Sequence, residues 1–237
     1  RYRGDLLEKS GKFDEAHATF TEAIAASPAA NDQFQARQRL AFLARQRTRY
    51  EEAAARFAEV VDHFEKSGNR VSAQNFRIEK AKALTLCGRF ADAEWDLELI
   101  RREKPANEKV QWQLDQAQST LDFQQMKFDV SLARLEAMRA AAAKRGSKSE
   151  ELSVRYELCS KYAEAGKPAQ AAALCDAVKK EFAGRPAQLV GPFYAMAEVH
   201  MARREPGKAV AQARQAVALA EQLKDLRNTW YTLLILT

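Results

Sequence analysis

The amino-acid sequence predicts an all-α protein, built as a solenoid of about six helical hairpins followed by a terminal helix. Its 237 residues include only 9 glycines and 6 prolines, too few to punctuate a many-stranded sheet, and strong helix formers dominate throughout. A short phrase also recurs along the chain at nearly constant spacing, which indicates a stack of similar units. Because 46% of the residues are hydrophobic, the chain can build a core.

The recurring phrase combines a turn residue, an aromatic residue and a small residue. Its clearest copies lie at residues 11–16, 48–53 and 88–93, and looser copies lie at 126–131, 166–171 and 205–209. The small residues that end the copies stand at successive steps of 37, 40, 38, 40 and 38 residues: Ala16, Ala53, Ala93, Ser131, Ala171 and Ala209. Because the turn residue closes one helix and the small residue lets two helices approach closely, each copy predicts the junction inside a hairpin.

Each phrase opens a second helix, and a first helix precedes it. Phe13 is followed by Phe20 and Ile24 at the spacing of an amphipathic helix. Apolar runs at 40–43 and 81–86 predict first helices that complement these stripes. The sequence predicts thirteen helices in all, from a partial helix at 1–9 to a final helix that begins near residue 225.

The first copy resembles the tetratricopeptide repeat (TPR) family. The family order of glycine, aromatic, alanine, aromatic, alanine and proline is reproduced by Gly11, Phe13, Ala16, Phe20, Ala23 and Pro28. In the fourth copy Met126 replaces the glycine and Ser131 replaces the alanine, which predicts a distorted hairpin. The steps exceed the usual TPR period of about 34 residues, as in the kinesin-light-chain-like members of the family.

The resemblance implies one right-handed superhelical domain over residues 1–237. Its repeats are predicted at residues 1–28, 29–67, 68–105, 106–146, 147–185 and 186–224, with the final helix at 225–237. That last helix is apolar where a terminal cap should be polar, which predicts self-association through it. Both ends of the sequence lie inside expected helices, so we expect a part of a longer protein.

Motifs for catalysis and cofactor binding do not occur in the sequence. His17, His63 and His200 stand far apart without metal-ligand spacing, and the glycine loops and nucleophile elbow of common enzymes are missing. His200 falls on a packing face, where we expect a half-buried ring bonded to backbone. We therefore expect a non-enzymatic protein that needs no metal or cofactor.

The three cysteines lack the CxxC spacing of a zinc site and do not form an even disulfide set. This favours a reducing, cytoplasmic location, with membrane association as a further possibility. Cys159 and Cys175 fall on the two helices of one predicted hairpin, so we expect neighbouring buried thiols, with a redox pair as the alternative. No run approaches the roughly 18 apolar residues of a membrane span.

The resemblance also implies that the first helices line a concave groove that binds a peptide or helix of a partner. It places there the partner-binding residues Gln38, Phe42, Arg45, Asn75, Ile78, Lys82, Gln116, Tyr156, Tyr194 and Met201. Further groove positions are Gln35, Gln113, Thr120, Ser160 and Glu198. This mixture of aromatic, amide and charged groups is typical of peptide recognition.

A basic run is the second candidate surface. Arg37, Arg39, Arg45, Arg47 and Arg49 occur with no acidic residue between them, and the net charge of +6 favours acidic partners. At about 100° per residue, however, Arg37 and Arg45 are about 80° apart while Arg39 points nearly opposite to them, so the run does not form one stripe. A solvated surface is the competing interpretation.

These features predict an adaptor or scaffold that binds a protein partner in its groove. One alternative is a basic-faced adaptor that links a tubulin-like cytoskeletal filament or another acidic assembly to an anionic membrane. Another is the sensory or regulatory TPR arm of a larger signalling or transcription protein. The unequal repeat steps argue against an RNA-binding protein, because one-base-per-repeat recognition needs near-constant repeats.

Overall fold

The computed structural model describes residues 2–27, 29–186 and 189–223, which contain twelve α-helices and no strand. Helices α1 to α7 are Tyr2–Lys9, Phe13–Ala26, Ala30–Gln46, Tyr50–Lys66, Arg70–Leu86, Phe90–Glu103 and Glu108–Gln124. Helices α8 to α12 are Phe128–Arg145, Lys148–Glu164, Pro168–Glu181, Val190–Ala202 and Pro206–Gln222. The all-α prediction is confirmed. The predicted helix at 225–237, and the self-association assigned to it, lie outside the described residues.

The chain divides into two compact units, Arg1–Lys127 and Phe128–Thr237. Within each unit most consecutive helices are joined by turns of two or three residues, so they pack as antiparallel hairpins. In the first unit α5 also packs against α7, and in the second α9 packs against α11, so first helices of successive repeats are neighbours. A single domain over the whole chain stays a prediction.

The small residues of the repeat phrase occupy completely buried positions in both units. All six have 0% exposed surface: Ala16, Ala53, Ala93, Ser131, Ala171 and Ala209. Each is the fourth residue of a second helix. Because protein interiors are close-packed, a larger side chain at this position would force helices apart.

The turn before each second helix has a left-handed backbone, whether or not its residue is glycine. Positive φ angles occur two residues before the second helices, at Gly11, Thr48, Gly88, Met126, Gly166 and Arg204. Met126 has φ 62°, close to the 73° of Gly11 and Gly166. The predicted distortion at Met126 is therefore wrong for the turn, because this residue adopts the glycine conformation.

Replacing Met126 by glycine should raise the free energy of unfolding by about 1 kcal/mol, because glycine adopts a positive φ without steric cost. Little packing is lost, since the Met126 side chain is 70% exposed. The midpoint of urea unfolding measures the effect. Gly88→Ala is the matched control: a Cβ there would meet no atom within 4 Å, so the φ of 80° alone should lower the midpoint. An unchanged or lower midpoint for Met126→Gly would contradict the prediction.

Aromatic rings form the centre of the first unit's core. Phe57 on α4 has 0% exposed surface, and its ring centroid lies 5.1 Å from that of Phe42 in an edge-to-face arrangement. Phe76 lies 6.2 Å from Phe57 and stacks on Phe64 at 5.5 Å. Helices α3, α4 and α5 are therefore held together by one aromatic cluster.

Two buried polar residues of α5 bind the link between α6 and α7. Gln74, with 0% exposed surface, accepts a hydrogen bond from the Ala106 N–H at 2.8 Å and donates one to the Lys104 carbonyl at 3.1 Å. Arg77, which is 7% exposed, pairs with Glu65 and with Glu103. These contacts fix a link in which Lys104 has a φ of 65°.

Candidate partner-binding faces

The first-helix face of the first unit consists of the half-buried side chains on α3, α5 and α7. Most residues that the sequence placed in the groove lie there and are half-buried: Gln38, Phe42, Arg45, Asn75, Lys82 and Gln116. Ile78 is the exception, because its side chain has 0% exposed surface and belongs to the hydrophobic core. The assignment of Ile78 to the groove is therefore corrected.

Phe42 both lies on this face and supports the core. Its ring contacts Phe57, lies 6.0 Å from Phe76, and carries the Arg45 guanidinium 5.3 Å from its centroid. A cation over an aromatic face is attracted by the ring quadrupole. Phe42 therefore positions Arg45 and cannot be removed without disturbing the core.

Glu79 organises the charges of this face, although it was not among the residues predicted from the sequence. Its carboxylate pairs with Arg45 of α3 and with the Lys82 ammonium at 2.9 Å. The side chain of Glu79 is only 17% exposed. The only sequence signal was an acidic residue one position after a predicted groove residue, which is too common to be distinctive.

An amide pair, Asn75 on α5 and Gln113 on α7, occupies equivalent positions in successive repeats. Asn75 lies 18 residues before Ala93, and Gln113 lies 18 residues before Ser131. The Asn75 Oδ1 and Gln113 Oε1 atoms are both buried without a hydrogen-bond partner. An unsatisfied buried acceptor costs about 1–3 kcal/mol, so this pair has hydrogen-bonding capacity that the unit itself does not use.

The basic run does not form an unpaired cationic surface. Arg37 is exposed. The other four arginines lie in ion pairs with acidic residues: Arg39 with Asp5, Arg45 with Glu79, Arg47 with Asp14, and Arg49 with Glu52. The Arg39 and Arg45 pairs join α3 to α1 and to α5, and the Arg47 pair joins the turn after α3 to α2. The predicted basic patch is therefore corrected to a set of mostly paired arginines.

The first-helix face of the second unit is a cluster of four half-buried side chains, Tyr156 and Ser160 on α9 and Tyr194 and Glu198 on α11. Hydrogen bonds from Ser160 and Tyr194 reach the Glu198 carboxylate. Its Oε2 atom is buried without a hydrogen-bond partner. Met201, one turn after Glu198, is 54% exposed at the end of the same helix.

Burial raises the pKa of Glu198 above its ordinary value, although the bonds from Ser160 and Tyr194 act in the opposite direction. A carboxyl whose pKa is raised by folding binds its proton more tightly in the native state. Its ionised form therefore costs stability above the unfolded pKa, and this cost disappears as the pH falls.

The Tyr156 ring packs against the backbone of α11. A Cβ built on Gly191 would lie 3.6 Å from the ring, in ordinary van der Waals contact, so the ring lies beside the first turn of α11. Burial raises the pKa of Tyr156 to about 12. The phenol therefore stays neutral and able to donate a hydrogen bond at physiological pH.

The cysteine and histidine predictions are partly revised. Cys159 and Cys175 are fully buried and joined by a hydrogen bond between their thiols, which confirms neighbouring buried thiols. That bond and burial both raise the pKa of Cys175. The His200 ring is 12% exposed, but its Nδ1 lies 2.7 Å from Glu205 Oε2, so its partner is a carboxylate and not the backbone.

Within residues 2–27, 29–186 and 189–223, no group of three or more His, Cys, Asp or Glu side chains is placed to hold a metal ion. None of the helices described there is long and apolar enough to cross a membrane.

Comparison with known proteins identifies the fold. No protein-family model and no curated protein matches the sequence. Among solved structures, the chain is similar to a kinesin-light-chain-like protein from Podosopora anserina with nearly identical TPR-like repeats, at 16% identity and a TM-score of 0.58, over 81% of this chain and 97% of that one. A point variant of that protein gives 17% identity and a TM-score of 0.59, over 81% and 96% of the two chains. At such identities the likeness concerns structure alone, and the chain has the TPR fold, an α-solenoid of helical hairpins.

Proposed function

We propose that this chain is a non-enzymatic scaffold whose first-helix faces bind an extended segment of a partner protein. The amide pair of Asn75 and Gln113 carries the proposal, because both amides retain a buried, unused acceptor. Peptide N–H groups are the donors that a partner chain offers at every residue except proline. The terminal torsions of asparagine and glutamine are broad, so a small rotation turns both oxygens toward the face, where a bound segment would satisfy them.

The spacing of the amide pair fits an extended chain. Packed helices lie about 8–10 Å apart, and α5 packs directly against α7. An extended segment in the polyproline II conformation rises about 3.1 Å per residue with three residues per turn, so two backbone N–H groups three residues apart lie about 9 Å apart on one side of the segment and would match the two amides. Gln116 lies one turn beyond Gln113 on α7. Gln38 lies one turn beyond Gln35, which is the equivalent position on α3, and both glutamines add polar groups to the face.

The charged residues of the same face favour a partner of mixed charge over a purely acidic one. Glu79 already engages Arg45 and Lys82, so this face presents a local network instead of an uncompensated cation. No contact among the described residues specifically favours a filament, a membrane surface or a regulatory-arm role. The scaffold role needs no metal or cofactor.

Photo-crosslinking tests where the partner binds. We expect a benzophenone amino acid at Gln116, which is half-buried on α7, to cross-link a protein partner in cells. The same amino acid at Ala55, which is exposed on the second helix α4, is the matched control. Cross-linking at position 55 alone would place the partner on the other side of the unit and contradict the proposal.

The double substitution Asn75→Ala and Gln113→Ala should weaken binding of the cross-linked partner by about thirtyfold. Two hydrogen bonds at roughly 1 kcal/mol each give about 2 kcal/mol. Stability should not fall, since alanine favours the helix and both unsatisfied oxygens are removed. Calorimetric titration measures the affinity. Unchanged affinity would rule out the amide pair as the binding element.

A further inference from the structure

Glu198 has acceptor capacity that its own unit does not fill. An ionised carboxylate offers about four lone-pair sites. Ser160 and Tyr194 reach this carboxylate, yet Oε2 has no hydrogen-bond partner. The terminal torsion of a glutamate is broad, so a small rotation turns Oε2 from just below the surface toward a ligand on the face.

The charged groups near Glu198 do not neutralise its ionised carboxylate. Lys161 and Glu164 both act on Glu198, but the Lys161 ammonium lies 3.1 Å and 3.3 Å from the two Glu164 oxygens. These two charges compensate each other on α9. A cation brought by a partner would therefore meet the Glu198 charge in a half-buried setting, where screening by solvent is weak.

One tyrosine lies beside this carboxylate, and a second lies further along the same face. Tyr194 lies one turn before Glu198 on α11, and Tyr156 lies one turn before Ser160 on α9 with its ring against Gly191. Lysine and arginine side chains combine an apolar stem with a charged head. Aromatic faces attract such heads, and a carboxylate binds them by charge-assisted hydrogen bonds.

From this arrangement we propose that the Tyr156, Ser160, Tyr194 and Glu198 cluster binds a lysine or arginine side chain of the partner's extended segment. The inference rests on the proposed function and names the side chain that the second unit recognises. The net charge of +6 favours acidic partners, whereas this site selects a basic residue. Exposed Met201, one turn beyond, contacts an apolar residue beside that basic side chain.

Labelled peptides test this selectivity on the full chain. Four fluorescein-labelled nonapeptides share polar, extended flanks and differ only at the central residue, which is lysine, arginine, norleucine or glutamate. We expect the lysine and arginine peptides to bind at least about tenfold more tightly than the norleucine peptide, because a charge-assisted hydrogen bond exceeds that margin. The glutamate peptide should bind most weakly.

Glu198→Gln is the decisive variant. It should abolish the preference for lysine over norleucine while the thermal midpoint of the second unit stays the same or rises, because the substitution removes a desolvated charge. Glu181→Gln is the matched control: Glu181 is an acidic residue of the second helix α10, 52% exposed and paired with Arg155, and its loss should leave the preference intact.

Three results would overturn the inference: a lysine preference that survives Glu198→Gln, a lower midpoint for Glu198→Gln with unchanged peptide affinities, or no binding of any of the four peptides. The last outcome would not reject the proposed scaffold function. That function is tested independently by cross-linking at position 116 and by the substitutions of Asn75 and Gln113. Failure of those experiments together with a Glu198-dependent lysine preference would instead leave a basic-residue site without the scaffold role.

Discussion

Replacing Phe57 by alanine should lower the free energy of unfolding of the first unit by about 3–5 kcal/mol, the range for deleting a buried phenylalanine ring. Phe57 has 0% exposed surface and contacts the rings of Phe42 and Phe76. Its removal therefore loses apolar burial and two aromatic contacts, and leaves a cavity that three packed helices cannot easily fill. Urea unfolding followed by circular dichroism measures the loss.

Phe57→Leu is the matched control, because leucine keeps most of the apolar volume and should cost only about 1–2 kcal/mol. A loss below about 1 kcal/mol for Phe57→Ala would mean that the aromatic cluster does not hold α3, α4 and α5 together. The same cluster affects how binding is tested. Because Phe42 packs on Phe57, replacing Phe42 by alanine would lower both stability and partner affinity. The substitutions of Asn75 and Gln113 should lower partner affinity alone.

Replacing Gln74 by methionine should lower the free energy of unfolding of the first unit by about 2–3 kcal/mol. The amide of Gln74 bonds to Ala106 and Lys104, and its Nε2 lies 3.4 Å from Glu103 Oε2. Net losses of roughly 1 kcal/mol per hydrogen bond are typical, and larger where a buried backbone group is left unsatisfied. Methionine fills a similar volume, so the loss reports hydrogen bonding and not a cavity.

The Gln74 prediction has a binding consequence and a matched control. The link that Gln74 holds leads directly into α7, which carries Gln113, so partner affinity should also fall. Gln111→Met is the control, since Gln111 is exposed on α7 and bonds only locally to Asp115, and its change should stay within about 0.5 kcal/mol. Equal effects of the two substitutions would show that the buried amide has no special role.

The repeat phrase made most of the fold predictable, because packing imposes the same requirement in every hairpin. A small side chain is needed where two helices approach most closely, and Ala16, Ala93 and Ala209 meet that need with 0% exposed surface. The turn was less predictable. Thr48 and Met126 adopt the backbone that glycine prefers, since the packing of the flanking helices outweighs the modest cost of a left-handed residue.

The sequence predicted which repeat positions lie on the candidate faces. It did not predict which side chains at those positions are exposed or what they bind. Counting from the phrase placed Asn75 and Glu198 on the first helices, but Ile78 in the same register is buried. An apolar side chain at the edge of a helix face turns toward the core, whereas a polar one turns toward water. Gln74 was missed for the opposite reason: a buried amide that serves a distant link looks like a surface residue in sequence.

The reactivity of the buried thiols can be used to measure local opening of the second unit. Cys159 and Cys175 have no exposed surface, while Cys87 in the first unit is half-buried and bonds through its Sγ to the Leu84 carbonyl at 3.3 Å. A maleimide dye applied to the native protein will therefore modify Cys87 first. Cys159 and Cys175 should react more slowly, at the rate at which local opening separates α9 from α10. The wild-type protein can therefore be used to measure opening of the second unit, while the first unit carries the label at Cys87.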